Sequence, residues 1–210
     1  MVLHRRPQGR SGLNWPAALL VVAGYLLGSV SFALWLVRWR TGSDIRMEGS
    51  GNAGATNVLR AHGKTLAAAV ALLDVAKGTG AVLVVRLVTA DPRYAAAAGF
   101  ASVLGHVFPL YSGFHGGKGV ATAVGAFLAL APLATVICLA VFIAVVAVSR
   151  YVSLGSVVAI ALLPSASSLL SHASRAIVLA AAATAVVVVF KHVGNLKRLA
   201  RGEERKLGRG

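Results

Sequence analysis

Runs of about 20 mostly apolar residues recur along the whole chain, and few folds accommodate that pattern. A hydrocarbon layer about 30 Å thick is crossed by roughly 20 apolar residues in a helix, because a helix satisfies its own backbone groups there. Candidate spans lie at 15–37, 66–89, 94–111, 152–170 and 176–190, with a further apolar stretch from Val120 to Ser149. That stretch is too long for one crossing and short for two. Pro132 therefore either marks a hairpin between two short helices, giving seven helices, or kinks a single one, giving six. The expected fold is all-α: a polytopic membrane helical bundle of about seven transmembrane helices with glycine-rich cytoplasmic loops.

Composition agrees. Of 210 residues 57% are hydrophobic and 13% charged, whereas soluble domains are nearer half apolar and a quarter charged. Lys and Arg number 21 against 6 acidic residues, a net charge of +15, so dense positive charge sits beside a very apolar body and points to anionic ligands. Cys138 is the only cysteine, which excludes an internal disulfide and C-x-x-C chemistry. Arg5, Arg6 and Arg10 imitate the start of a secretory signal, but the 15–37 stretch exceeds a usual signal core and reads as a retained span. The chain thus divides into a basic extension (1–14), a membrane domain (15–199) and a basic tail (200–210). With an odd number of spans, fourteen of the 21 positive residues fall on the side that carries 38–64, Lys118, Arg150 and the carboxyl end. That side is expected to be cytoplasmic. No repeat period is present, and Gly24 and Gly28 form a G-x-x-x-G pair suited to close helix packing.

Four polar patches fall on this same expected face. In Gly49-Ser50-Gly51-Asn52-Ala53-Gly54-Ala55-Thr56-Asn57, followed by Arg60, the glycines free the backbone to turn its N–H groups toward one point. Ser50, Asn52, Thr56 and Asn57 add short polar groups and Arg60 a planar cationic fork, so the segment is either an oxyanion cradle or a flexible connector. A second candidate cradle, Gly113 to Thr122, carries Gly116, Gly117, Lys118 and Gly119 at the start of an apolar helix. It is not a nucleotide P-loop, because Ser112 and Gly119 stand where that motif needs glycine and Ser or Thr; Gly63-Lys64-Thr65 fails at Val58. The third patch is Arg150 to Ser153, whose Ser153 hydroxyl either reaches a ligand or caps the next helix. In the fourth, His192 and Asn195 share one helical face ahead of a basic end that also suits anionic lipid headgroups. Asp74 and Lys77, three apart within a span, either neutralise each other or support a polar site. His106 near the end of another span defaults to packing or a backbone hydrogen bond. No His, Cys and carboxylate cluster has metal-ligand spacing.

Three of these segments carry a resemblance. Gly-Ser-Gly-Asn-x-Gly-Ala-Thr-Asn-Val-x-Arg at 49–60, Gly-His-x-Phe-Pro with Gly-Gly-Lys-Gly-Val-Ala-Thr between 105 and 122, and His-x-x-Asn-x-x-Arg-Leu at 192–199 resemble the bacterial acyl-phosphate:glycerol-3-phosphate acyltransferases. The resemblance implies a seven-helix enzyme of the inner (plasma) membrane with its active site and carboxyl end cytoplasmic. It would move a fatty acyl group from acyl-phosphate to the 1-hydroxyl of glycerol 3-phosphate, giving lysophosphatidic acid and phosphate, the first step of phospholipid biosynthesis. Carried over by position, the catalytic residues would be Ser50, Arg60, Lys118, His192 and Asn195. Asn52, Asn57, Gly116, Gly117, Gly119 and Ser153 would bind substrate. His115 stands where members of the family commonly have lysine. No metal, cofactor or nucleic acid is expected; the partners are the two substrates and membrane lipids. Competing classes are a transporter of a phosphorylated solute, which predicts internal duplication and a polar path through the spans, and a lipid-binding scaffold, which leaves the glycine loops unexplained.

Overall fold

A computed structural model of the protein describes residues 13–208; most of the 1–14 extension, and Arg209 of the tail, lie outside the described residues. Among the described residues regular structure is helical throughout: α1 (Trp15–Gly28), α2 (Phe32–Thr41), α3 (Ala55–His62), α4 (Lys64–Val88), α5 (Pro92–Val107), α6 (Val120–Leu130), α7 (Pro132–Ser149), α8 (Val152–Leu169) and α9 (Arg175–Ala200). Six stretches of at least 18 residues are long and apolar enough to cross a bilayer, counting Trp15–Thr41 as one, and α6 adds a shorter apolar helix of 11 residues. The protein is a multi-pass membrane bundle.

Local chemistry sets the boundaries. Asn14 accepts the Ala17 N–H and Asp91 the Arg93 N–H at the starts of α1 and α5, each with a proline in the first turn. Gly42 ends α2 in the left-handed conformation. Pro132 opens α7 as a separate helix after α6 stops at Leu130, so it divides two helices rather than kinking one. Two expected spans come out differently. The stretch 15–37 is interrupted at Ser29–Ser31, and the last helix continues ten residues beyond Phe190 to carry His192 and Asn195.

Close packing accompanies the interruption. A Cβ on Gly28 would overlap the backbone of Ser102, and one on Gly105 the Tyr25 carbonyl, so α1 and α5 touch backbone to backbone where α1 ends. The Val30 carbonyl left over by the break accepts from Lys77 Nζ on α4 at 2.8 Å. The same kind of contact joins α4 to α6: Gly78 meets the Thr122 carbonyl, Gly125 meets Val75, and Thr79 Oγ1 donates to the Gly125 carbonyl at 2.8 Å. Helices in lipid gain little by hiding apolar surface from one another, so close backbone approach is what holds them.

Gly28 and Gly80 give matched tests, since Gly80 has open space around it. Gly28→Ala should lower the thermal unfolding midpoint in detergent, at an overpacking cost of about 1–3 kcal/mol. Gly80→Ala should leave it unchanged or raise it slightly, by up to about 1 kcal/mol of helix propensity.

Candidate functional site

The loop ahead of α3, the first turns of α6 and α8 and the end of α9 converge on one cavity of about 690 Å³. Ser50, Asn52, Arg60, Lys118, Ser153, His192, Asn195 and Arg198 line its polar end. Phe127, Cys138, Leu139, Phe142, Ile160 and Leu163 form an apolar wall on α6, α7 and α8. All four polar patches of the sequence therefore border one space.

The sequence candidates have different parts in it. Asn57, 1% exposed, is consumed within its own loop: Nδ2 donates to the Ile45 and Glu48 carbonyls at 3.1 and 2.9 Å, and Oδ1 accepts the Ser50 N–H at 2.9 Å. It shapes the Gly49–Gly51 turn, with Gly49 and Gly51 at positive φ, and leaves Ser50 exposed at the rim. Asn57 borders the cavity, but the amide groups that a ligand would need are already taken.

Gly116 and Gly117 also differ from expectation. They do not border the cavity; they lie against His106 and Pro109, and the Gly117 N–H donates to the His106 carbonyl at 3.1 Å. Close packing is what requires them to be glycine. The residues of this segment that border the cavity begin at Lys118 and Gly119, whose φ of +85° leads straight into α6. Gly119, Val120 and Ala121 border the cavity, where first-turn amides have no helical partner and the helix dipole is positive.

The centre of the polar end is a residue that the motifs did not include. Residues 201–208 fold back over the site, and Glu204, 8% exposed, accepts from Ser153 Oγ at 2.8 Å, Asn195 Nδ2 at 2.6 Å and Arg198 Nε at 2.9 Å. Asn195 Oδ1 in turn accepts from Lys118 Nζ at 2.5 Å. Ser153 therefore holds a carboxylate rather than capping α8. Arg60 Nη2 donates to the Arg205 carbonyl at 3.3 Å, and the Leu207 N–H to the Arg150 carbonyl at 2.7 Å, so the tail is pinned on both sides. The one signal in sequence was an acidic pair, Glu203-Glu204, inside an otherwise basic tail.

His192, 2% exposed, donates from Nδ1 to the Val188 carbonyl at 2.8 Å, since a carbonyl only accepts. Its Nε2 is then the free lone pair of the neutral ring. Burial, with Arg198, Arg60 and Lys191 nearby and only Glu204 opposing, brings the Lys118 ammonium down to a pKa of about 8. Burial also raises the Glu204 carboxyl, but hydrogen bonds from Asn195, Ser153 and Arg198 outweigh it and hold the pKa below the usual value. The end of the bundle thus carries surplus positive charge around a single fixed carboxylate. Asp74, Lys77 and His106 form a separate buried cluster: Lys77 Nζ lies 2.7 Å from Asp74 Oδ1 and 3.0 Å from His106 Nδ1. His106 is therefore part of an ionic cluster, not simply packed.

The model of the family described as glycerol-3-phosphate acyltransferase matches residues 18–202. A glycerol-3-phosphate acyltransferase of Myxococcus xanthus is 47% identical over 89% of this chain and 97% of its own length. One of Clostridioides difficile is 46% identical over 90% and 95%. Crystal structures of an integral membrane glycerol 3-phosphate acyltransferase superpose with TM-scores of 0.87 in a glycerol 3-phosphate form and 0.85 in a lysophosphatidic acid form, at 36% and 34% identity. Each covers 92% of this chain and 96% of the solved one.

The Glu204 hub has a direct test. Glu204→Ala strips the acceptor from the buried Ser153 and Asn195 and from the more exposed Arg198, and should cost about 2–4 kcal/mol of stability in detergent. Glu203→Ala next to it, on an exposed residue, should stay within about 0.5 kcal/mol. Thermal unfolding of both variants checks the difference.

Proposed function

Because the chain belongs to the glycerol-3-phosphate acyltransferase family, we propose that it moves a fatty acyl group from acyl-phosphate to the 1-hydroxyl of glycerol 3-phosphate. The products are lysophosphatidic acid and phosphate. One observation carries this reading: a single cavity joins a cationic, amide-lined end to an apolar wall between helices. Phosphate headgroups suit the first and an acyl chain the second.

In this scheme the 1-hydroxyl oxygen bonds to the acyl carbon while the bond from that carbon to the phosphate oxygen breaks. The hydroxyl proton leaves with the released phosphate. An acyl-phosphate is a mixed anhydride with a good leaving group, so positioning and charge neutralisation suffice without a covalent enzyme intermediate. Lys118 and the first-turn amides of α6 hold the donor phosphate, and Arg60 neutralises phosphate at the same polar end of the cavity. Ser50 and Asn195 orient glycerol 3-phosphate, and His192 Nε2 accepts from its hydroxyl and hands the proton on. Glu204, by anchoring Asn195 and Ser153, fixes the acceptor side. The site end holds most of the positive residues, which favours its facing the cytoplasm of a bacterial inner membrane, with the basic tail against anionic lipid headgroups.

Purified protein in detergent should release phosphate from palmitoyl-phosphate only when glycerol 3-phosphate is present. Release without acceptor, or none with it, removes the assignment. Lys118→Ala or Arg60→Ala should lower kcat/KM by about 10²–10³-fold, and His192→Ala by about 10²-fold; unchanged turnover would remove those roles. The pH profile follows from Lys118. Its depressed pKa means that the free enzyme loses this positive charge as pH rises through about 8. kcat/KM should therefore fall on an alkaline limb near that value, and Lys118→Arg, which stays charged, should abolish the limb.

A further inference from the structure

The transfer scheme leaves the buried ions of the bundle interior unused. Asp74, Lys77 and His106 are 2%, 3% and 7% exposed, on α4 and α5. Lys77 Nζ donates to the Val30 carbonyl at 2.8 Å, pairs with Asp74 Oδ1 at 2.7 Å and lies 3.0 Å from His106 Nδ1. His106 Nδ1 also lies 3.4 Å from Asp74 Oδ1, so it is the ring atom that meets both members of the ion pair. Asp74 and His106 both border the cavity.

The cluster reaches the site through His106. Its main-chain carbonyl receives the Gly117 N–H at 3.1 Å, and a Cβ on Gly116 would overlap that carbonyl and the Pro109 ring. A Cβ on Gly117 would overlap the Nε2 edge of the imidazole. The next residue is Lys118. A turn with glycine at 116, 117 and 119 has little stiffness of its own, so its position is set by the surface on which it lies. That surface is a ring held by an ion pair that cannot shift without uncovering charge in a medium of low dielectric.

We propose that Asp74, Lys77 and His106 are a positioning network that sets where the Gly116–Gly119 turn, and with it Lys118, meets the α9 face of the cavity. Lys77 is the hub, tying α4 to α5, to the break between α1 and α2, and through His106 to the turn. The inference rests on the acyl-transfer reading, because its readout is catalytic.

Steady-state transfer from palmitoyl-phosphate to glycerol 3-phosphate by the full chain in detergent provides the test, with unfolding midpoints measured in parallel. Wild-type protein without transfer would overturn the functional reading; active wild type separates the two. His106→Ala should lower kcat by about tenfold or more, the cost of a displaced catalytic group, with KM for glycerol 3-phosphate held within about twofold. His106→Asn puts an amide where Nδ1 was, able to meet Lys77 and Asp74, and should recover most of the lost kcat, whereas His106→Gln, which mimics Nε2, should not. Asp74→Asn combined with Lys77→Gln, which leaves no unpaired buried charge, should be more active than Lys77→Met alone. Should the alanine or methionine variant fail to fold, the Asn and Gln variants at 106 carry the test by themselves. Recovery by Gln and not by Asn would replace the positioning role with direct contact through Nε2 and overturn the proposal. So would wild-type kcat in both, or losses that merely follow the fraction of unfolded protein.

Discussion

Backbone-to-backbone contact between helices is the constraint on which the rest of this structure depends. A bilayer offers no solvent to expel from between two leucine faces, so helices associate by approaching closely enough for dispersion and polar contacts to add up. Gly28 and Gly105 do this for α1 and α5, and Gly78 and Gly125 for α4 and α6. The first contact lies where α1 ends and the Val30 carbonyl turns to Lys77; the second seats the short helix α6 with Lys118 just before its start. Both contacts lead to the site, one through Lys77 and the other directly.

Charge at the site is organised by one carboxylate among several cations. Lys118, Arg60 and Arg198 converge with Lys191 nearby, and without an anion among them they would repel one another in a partly desolvated pocket. Glu204 supplies a single fixed negative charge, and its three donors hold it ionised. The positive surplus that remains is what two phosphate-bearing ligands would neutralise. A loosely solvated basic tail could not do this, because its charges would be screened beyond about 8–10 Å. Residues 201–208 are instead pinned to Arg60 and Arg150.

Sequence alone showed the helical class, the positions of the spans and the meeting of four polar patches, because apolar run length and charge asymmetry act residue by residue. It did not show the break at Ser29–Ser31, since no residue there forbids a helix; the break lies beside the contact of Gly28 with Ser102, 74 positions away in the chain. Asn57 and the glycines at 116 and 117 have the residue types of an anion loop, yet their groups are spent inside the protein. Only coordinates separate a donor aimed at a ligand from one aimed at a neighbouring carbonyl. Glu204 was hidden for the opposite reason: a carboxylate in a tail dominated by lysine and arginine looks like a solvated residue until its partners on α8 and α9 are known.

Packing around the start of α6 is what desolvates Lys118. Gly117 is buried against His106 of α5, and Gly119 against Val103 and Val107 of α5 and Val188 of α9. Irregular backbone in a membrane protein persists where protein or a polar cavity lines it, and here both do. A lysine held between those glycines, with its ammonium on Asn195, gives up part of its hydration before any ligand arrives. That loss makes its interaction with a phosphate stronger than a surface lysine's would be, and it places the phosphate next to the apolar wall where an acyl chain begins.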